Sequence, residues 1–125
     1  MLKNLLLIIF YNFLLSPLIY GELISPVNNS LINSVHVLFE WEQIPDALEY
    51  KVQVSNESDF SSSVTDTTVS SLVYIDKDNI QWSSNYFWRI KPIYNNSEGI
   101  WSESNVFSTD TKRSDATATM YNDQG

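Results

Sequence analysis

Apolar and polar residues alternate along several short segments of this chain, most clearly in Tyr86–Pro92. The side chains at positions 86, 88 and 90 are large and apolar, whereas Arg89 and Lys91 are charged. Because successive strand residues point to opposite faces, a period of two predicts a strand with one buried and one solvent-facing side.

The same two-residue period recurs in 35–42 and 48–55, and further short apolar or Thr- and Val-rich runs raise the number of predicted strands to about seven, at nearly even spacing. The predicted strands are 22–27, 35–42, 48–55, 64–69, 72–75, 86–94 and 101–107. We expect Leu48 to be the first buried residue of its strand, residues 28–30 to form a turn, and residues 95–99 to close a hairpin between the last two strands. Without helical periodicity, this spacing indicates an all-β, immunoglobulin-like sandwich of two antiparallel sheets.

Three segments differ in character. Residues 1–21 begin with a short, weakly basic stretch and continue as an apolar run, which predicts a signal peptide or hydrophobic helix before the sandwich. Cleavage after Gly21 is favoured over an uncleaved membrane anchor, because the run is shorter than the ~20 residues that span a bilayer and contains Pro17. Residues 22–109 are predicted to form the sandwich. Residues 110–125 contain few large apolar side chains and are predicted to be a linker or disordered tail.

Charge and cysteine content exclude several classes of function. The net charge of the chain is −8, and loss of Lys3 with the signal peptide makes it more negative, so a nucleic-acid partner is not expected. The absence of cysteine excludes thiol catalysis, cysteine-ligated zinc and the inter-sheet disulfide of antibody-like domains. A secreted domain of this kind must be stabilised by its core alone.

Four segments, taken in order, resemble the marks of a fibronectin type III domain of the divergent form found on secreted microbial proteins. They are Phe39-Glu40-Trp41, Tyr50 to Ser55, Ile80 followed six positions later by Tyr86, and Gly99-Ile100-Trp101-Ser102. The sequence departs from the family at Trp82, where proline is common. The resemblance covers Leu23 to Thr109 and implies the same sandwich.

The resemblance also implies a set of structural core residues. These are Trp41, Tyr50, Ile80, Tyr86 and Trp88. A buried tyrosine needs a hydrogen-bond partner for its hydroxyl, so Tyr86 is expected to bind backbone groups of the bend that precedes its strand.

Aromatic and cationic side chains on the outer face are the candidate interaction residues. Arg89 and Lys91 share the solvent-facing side of their strand, and if Trp101 lies on the adjacent strand, the guanidinium is expected to stack on its indole. A similar ladder of Trp and Arg in the related cytokine receptors is structural. Trp82 is a further candidate for surface stacking. Exposed rings could also form a platform for carbohydrate, an alternative that lacks identifiable accompanying polar groups.

No catalytic, cofactor-binding or metal-ligating residue is assigned. The segment 76–79 begins like a calcium loop but lacks its glycine and closing glutamate, so a solvated turn is favoured. His36 is the only histidine and falls on a polar strand face. We therefore expect a non-enzymatic chain that needs no cofactor.

The predicted function is that of a secreted or cell-surface module for protein interaction, adhesion or domain spacing. Its expected partner is another protein or a neighbouring domain of the same chain, with membrane contact only through an uncleaved signal segment. An alternative is an N-terminal accessory domain of a longer secreted hydrolase or transferase with its catalytic part beyond residue 125. Continuation of the reading frame past Gly125 would distinguish the two.

Overall fold

Eight short strands build the part of the chain that the computed structural model describes, residues 21–113. They are β1 (Leu23–Ser25), β2 (Ser30–Ile32), β3 (Val37–Trp41), β4 (Glu49–Ser55), β5 (Thr65–Val69), β6 (Val73–Asp76), β7 (Asn85–Ile93) and β8 (Asn105–Thr109). The predicted signal peptide or hydrophobic helix, and the tail from residue 114 onward, lie outside the described residues. Within 21–113 no helix is long and apolar enough to cross a bilayer.

The strands form two sheets, which confirms the predicted all-β sandwich. One sheet has the order β1-β3-β6 and the other β2-β8-β7-β4-β5. All neighbours are antiparallel except β2 and β8, which pair in parallel. The chain thus moves from the smaller to the larger sheet between β1 and β2.

Inward side chains of both sheets form one core, as strand alternation requires. The structure places all five predicted core residues there, together with Phe39, Phe107 and smaller apolar side chains. Their rings meet mostly edge to face: the centroids of Phe39 and Trp88 lie 5.1 Å apart, and those of Trp41 and Tyr50 5.5 Å apart. Full burial of a large apolar side chain stabilises the folded state by about 1.5–3 kcal/mol, so a core of this size accounts for a fold without disulfides.

Three strand predictions are wrong in detail. Ser30, expected in a turn, begins β2, which is too short to display alternation and depends on pairing with β8. The last strand begins at Asn105 rather than Trp101, because residues 101–104 follow β7 without a regular ladder. Leu48 precedes β4 and is 58% exposed, so the buried face of that strand begins at Tyr50.

The two ends of the folded segment lie at opposite ends of the sandwich. Gly21 packs where β3 ends, so closely that a Cβ on it would overlap the carbonyl oxygen of Glu42. Thr109 lies opposite Ile32 at the other end, where its hydroxyl donates to the carbonyl of Gln81, beyond β6. The chain therefore enters at one end and leaves at the other.

Candidate functional site

Arg89 and Lys91 project from the outer face of the five-stranded sheet. Their positions follow from the alternation of β7, in which Tyr86, Trp88 and Ile90 are buried and the residues between them are half-buried. Both cations contact the ring of Trp101. Together with Phe60 they form a cation–aromatic stack, defined by Phe60, Arg89, Trp101 and Lys91.

The guanidinium of Arg89 lies over two rings. Its Cζ is 4.0 Å from the ring centroid of Phe60 and 4.2 Å from that of Trp101. Gln53 Oε1 accepts hydrogen bonds from Nε at 3.0 Å and from Nη2 at 2.8 Å. Burial lowers the pKa of Arg89 and the charge of Asp66 partly offsets this, but a guanidinium remains protonated at any ordinary pH.

Lys91 continues the stack on the side of the β7–β8 turn. Its Nζ lies 4.8 Å from the ring centroid of Trp101 and 2.6 Å from Glu98 Oε2. The hydrogen bond and charge of Lys91 lower the pKa of the Glu98 carboxyl. The side chain of Lys91 is only 16% exposed, so its charge is largely shielded by these two partners.

A second polar row lies on the neighbouring strands. Gln53 Nε2 donates to Asp66 Oδ2 at 3.1 Å, and Lys51 Nζ lies 3.5 Å from Asp66 Oδ1. Three cations of this face are thus matched by a carboxylate or an amide oxygen of the same face. The surface is a closed set of internal contacts rather than an open charged patch.

Trp101 is positioned by backbone contacts with β7, although it belongs to no strand. The Ser102 N–H donates to the carbonyl of Ile90 at 2.8 Å, and the Ile90 N–H donates to the Ser102 hydroxyl at 3.0 Å. The Gly99 N–H donates to the carbonyl of Pro92 at 2.8 Å. These bonds hold residues 99–102 beside β7 and leave the indole between the outward cations.

Trp82 is not brought into the stack. It is half-buried in the loop between β6 and β7, and among residues 21–113 it takes part in none of the observed ring or cation–π contacts. The loop bends at the next residue, Ser83, whose φ is 53°. The chain therefore bends before β7 although Trp82 stands where proline is common in fibronectin type III domains.

Two buried tyrosines bind loops at opposite ends of the sandwich. The Tyr86 hydroxyl accepts a hydrogen bond from the Gln81 N–H at 2.8 Å, which is the expected contact with the bend. The Tyr50 hydroxyl accepts one from the Ile44 N–H at 2.9 Å. The first loop precedes β7 and the second precedes β4, so each tyrosine stabilises the approach to its own strand.

Lys77, Asp78 and Asn79 are exposed, as a solvated turn requires, and only Asp76 departs from that expectation. Asp76 is fully buried and accepts hydrogen bonds from the Thr65 hydroxyl and from the backbone N–H groups of Asp78, at 3.2 Å, and Asn79, at 2.9 Å. Both carboxylate oxygens are therefore engaged by protein donors. Within the described ranges, no three His, Cys, Asp or Glu side chains are grouped so as to hold a metal ion.

Sequence reasoning missed Phe60, Gln53 and Asp66 as members of this face. Phe60 was visible as the one aromatic residue in a polar loop, and Gln53 shares a strand face with Lys51. Which cation Phe60 would meet depends on the course of residues 56–63, where Phe60 itself has a φ of 55°. No local pattern predicts that course.

Comparison with solved structures identifies the fold. An Fn3-like protein from Clostridium thermocellum matches with 17% identity and a TM-score of 0.54, covering 75% of this chain and 98% of that one. A human fibronectin type III domain from the KIAA0970 protein matches with 16% identity and a TM-score of 0.56, covering 76% and 74%. The FN1–FN3 segment of chicken CNTN1 matches with 14% identity and a TM-score of 0.55, covering 74% and 33%.

These likenesses show that the chain has the fibronectin type III fold. No protein-family profile and no curated protein sequence matches it. The identities are low, so the fold is what these structures share with it.

Proposed function

We propose that this chain is a non-catalytic module for protein interaction and domain spacing. The observation that carries the proposal is the position of its two ends. Gly21 lies beside Glu42, after β3, whereas Thr109 lies beside Gln81, after β6. Since β3 and β6 are antiparallel neighbours, these points are at opposite ends of the sandwich, an arrangement that places whatever precedes and follows it on opposite sides.

The contacts within the sandwich favour a rigid spacer. Tyr50 and Tyr86 each bind a loop at a different end, and the cation–aromatic stack fixes the outer face of the larger sheet. Because hydrogen bonds hold the loops at both ends, such a module keeps the segments before and after it in a fixed relative orientation. Arg89 and Lys91 already contact the ring of Trp101, so stacking of a carbohydrate on this ring is the weaker alternative.

We place this module outside the cytoplasm. The support is the apolar run before residue 22. Intact mass measurement on the secreted chain tests this: we expect the mature protein to begin at Glu22. A chain that stays in the cytosol and retains Met1 would contradict it.

The spacing role is tested by distance measurement on the full chain. Because the sequence has no cysteine, Glu22→Cys and Gln81→Cys create the only two labelling sites, and exposed Gln81 lies beside Thr109 at the far end of the sandwich. Double electron–electron resonance then measures the distance between two spin labels. At ~3.3 Å per strand residue, we expect a separation of about 30 Å or more with a narrow distance distribution. A broad distribution, or a separation below about 20 Å, would contradict a rigid spacer with ends on opposite sides.

The interaction role is tested by cross-linking in the source organism. A photo-reactive residue at Leu38, on the outer face of the smaller sheet, is compared with one at Leu31, on the larger sheet; both leucines are exposed. We expect a protein adduct from position 38 that position 31 does not give. Adducts from neither position would contradict an interaction through this face.

A further inference from the structure

The second strand and the last strand of the fold are direct neighbours in the larger sheet. β2 pairs with β8 in parallel, with Ser30 opposite Phe107 and Ile32 opposite Thr109. Within residues 21–113 this is the only parallel pair, and the strands β3 to β7 all lie between its two members in sequence. The segments that enter and leave the sandwich are therefore joined directly to each other as well as through the strands between them.

Hydrogen bonds extend this pairing beyond both ends of β2. Before its first residue, the Asn29 N–H donates to the carbonyl of Val106 at 2.7 Å, and the Val106 N–H donates to Oδ1 of Asn28 at 2.9 Å. At its last residue, the carbonyl of Ile32 accepts the Asp110 N–H at 2.9 Å. The contact between the two segments is thus longer than the three residue pairs of the strand ladder.

These two bonded segments, residues 28–32 and 106–110, form a terminal clamp. Its far end is also anchored to the loop before β7, because the Ser83 N–H donates to the carbonyl of Asp110 at 2.9 Å. The last residue of the clamp is therefore held from two sides, by β2 and by this loop.

Tension along the sandwich pulls the two segments of the terminal clamp in opposite directions. β2 runs away from the end at which Gly21 enters, and β8 runs the same way and finishes at Thr109, at the other end. Parallel strands that are loaded from opposite ends slide past each other, so the evenly spaced bonds between them share the load and break together. Strands that are loaded from the same end are instead peeled apart and lose one bond at a time.

We propose that this module bears tension between the segments on its two sides, and that the terminal clamp is the element that resists it. The proposal rests on the spacing role proposed above, since tension loads the clamp in this way only if the two ends lie on opposite sides. β1 offers less resistance, because it has only two residue pairs with β3 and a register shift between them. Tension at Gly21 therefore detaches β1 first and then loads β2 while the terminal clamp is still closed.

The direction of pulling tests the proposal. Resistance to tension is governed by the rate of unfolding, which constant-force measurements on single molecules of the full chain determine. Handles attached through Glu22→Cys and Lys112→Cys load the clamp from opposite ends, whereas Asn33→Cys and Lys112→Cys place both handles just after β2 and β8, at the same end. At equal tension we expect the second pair to unfold at least about tenfold faster, because bonds that are peeled break singly.

Removal of one bond tests the terminal clamp itself. Asn28→Ala removes the acceptor of the Val106 N–H and should make unfolding between the opposed handles about fivefold faster. Asn56→Ala is the matched control: Asn56 is equally exposed, and its Nδ2 donates to the carbonyl of Asn85 at 2.9 Å, away from the clamp. We expect it to change the rate under tension by less than about twofold. Urea unfolding without tension confirms that both variants are folded.

Two outcomes overturn the proposal: equal unfolding rates for the two pairs of handles, or equal effects of Asn28→Ala and Asn56→Ala on the rate under tension. If either occurs while the spin-label distance is long and narrowly distributed, the terminal clamp is refuted and the spacing role is retained. A short or broadly distributed distance refutes both, because the two ends then do not lie on opposite sides.

Discussion

Thr65 and Asp76 join the two sheets across the β5–β6 edge: the Thr65 hydroxyl donates a hydrogen bond to Oδ2 of Asp76. The exposed fractions of these residues are 6% and 0%. Oδ1 of the same carboxylate accepts the backbone N–H groups of Asp78 and Asn79. One buried aspartate thus holds both the turn after β6 and a strand of the opposite sheet.

Asp76→Asn should lower the free energy of unfolding by about 2–3 kcal/mol. The substitution replaces one carboxylate oxygen, which accepts hydrogen bonds, by an NH₂ group that can only donate, so a donor that now binds the carboxylate loses its acceptor. Urea unfolding followed by tryptophan fluorescence measures this. Asp78→Asn is the matched control: its side chain is exposed, and we expect a change within about 0.5 kcal/mol. Equal effects of the two substitutions would contradict a structural role specific to Asp76.

Each buried tyrosine hydroxyl should contribute to stability separately. Tyr86→Phe removes the acceptor for Gln81 N–H and Tyr50→Phe the acceptor for Ile44 N–H, each at a cost of about 1–2 kcal/mol in unfolding free energy. Because the two loops lie at opposite ends, the double variant should show additive losses within about 0.5 kcal/mol. Tyr94→Phe, at a half-buried position, is the control; a loss as large there would contradict this account.

The sequence predicted the elements whose own pattern carries the signal. The strands β3, β4 and β7 show alternation over enough residues to be recognised, and Tyr86 follows Ile80 at the spacing that predicts its contact with the preceding bend. The three residues of β2 show no such pattern. They become a strand only because β8, more than 70 residues later, offers a parallel partner.

The environment of Asp76 shows the same limit for a single residue. Within its own segment it resembles an ordinary acidic turn, since Lys77, Asp78 and Asn79 follow it. Its burial depends on the position of Thr65 in the other sheet, which no local spacing encodes. Long-range register, rather than residue type, decides whether this carboxylate is solvated.

The cation–aromatic stack should depend on the planar fork of Arg89. Arg89→Lys keeps the charge but loses the two hydrogen bonds to Gln53 and the flat contact with two rings, and we expect about 1–2 kcal/mol less stability. Phe60→Leu keeps apolar contact and removes one ring face, and should cost about 0.5–1 kcal/mol. Chemical unfolding gives both values, and near-UV circular dichroism should show the altered setting of Trp101. Unchanged stability and spectrum in Arg89→Lys would mean that the stack contributes nothing.

Acid should remove the contribution of the Lys91–Glu98 pair. Lys91 lowers the pKa of the Glu98 carboxyl in the folded state, so the folded protein holds this proton less tightly than the unfolded chain. The stabilisation is present above the ordinary glutamate pKa of about 4.3 and is lost as the pH falls through the lowered folded-state pKa. Unfolding free energies of the wild type and Glu98→Gln should therefore differ at pH 7 and converge below about pH 4.

Glu57→Gln provides the comparison for this titration. Glu57 is exposed and forms no ion pair within residues 21–113. We expect its replacement to change the free energy of unfolding at pH 7 by no more than about 0.5 kcal/mol. Since both carboxylates are solvent-accessible, high salt should shrink the wild-type difference at pH 7, because it screens the charge of Lys91. A difference that persists unchanged at pH 3 would show that Glu98 acts through packing, with its charge irrelevant.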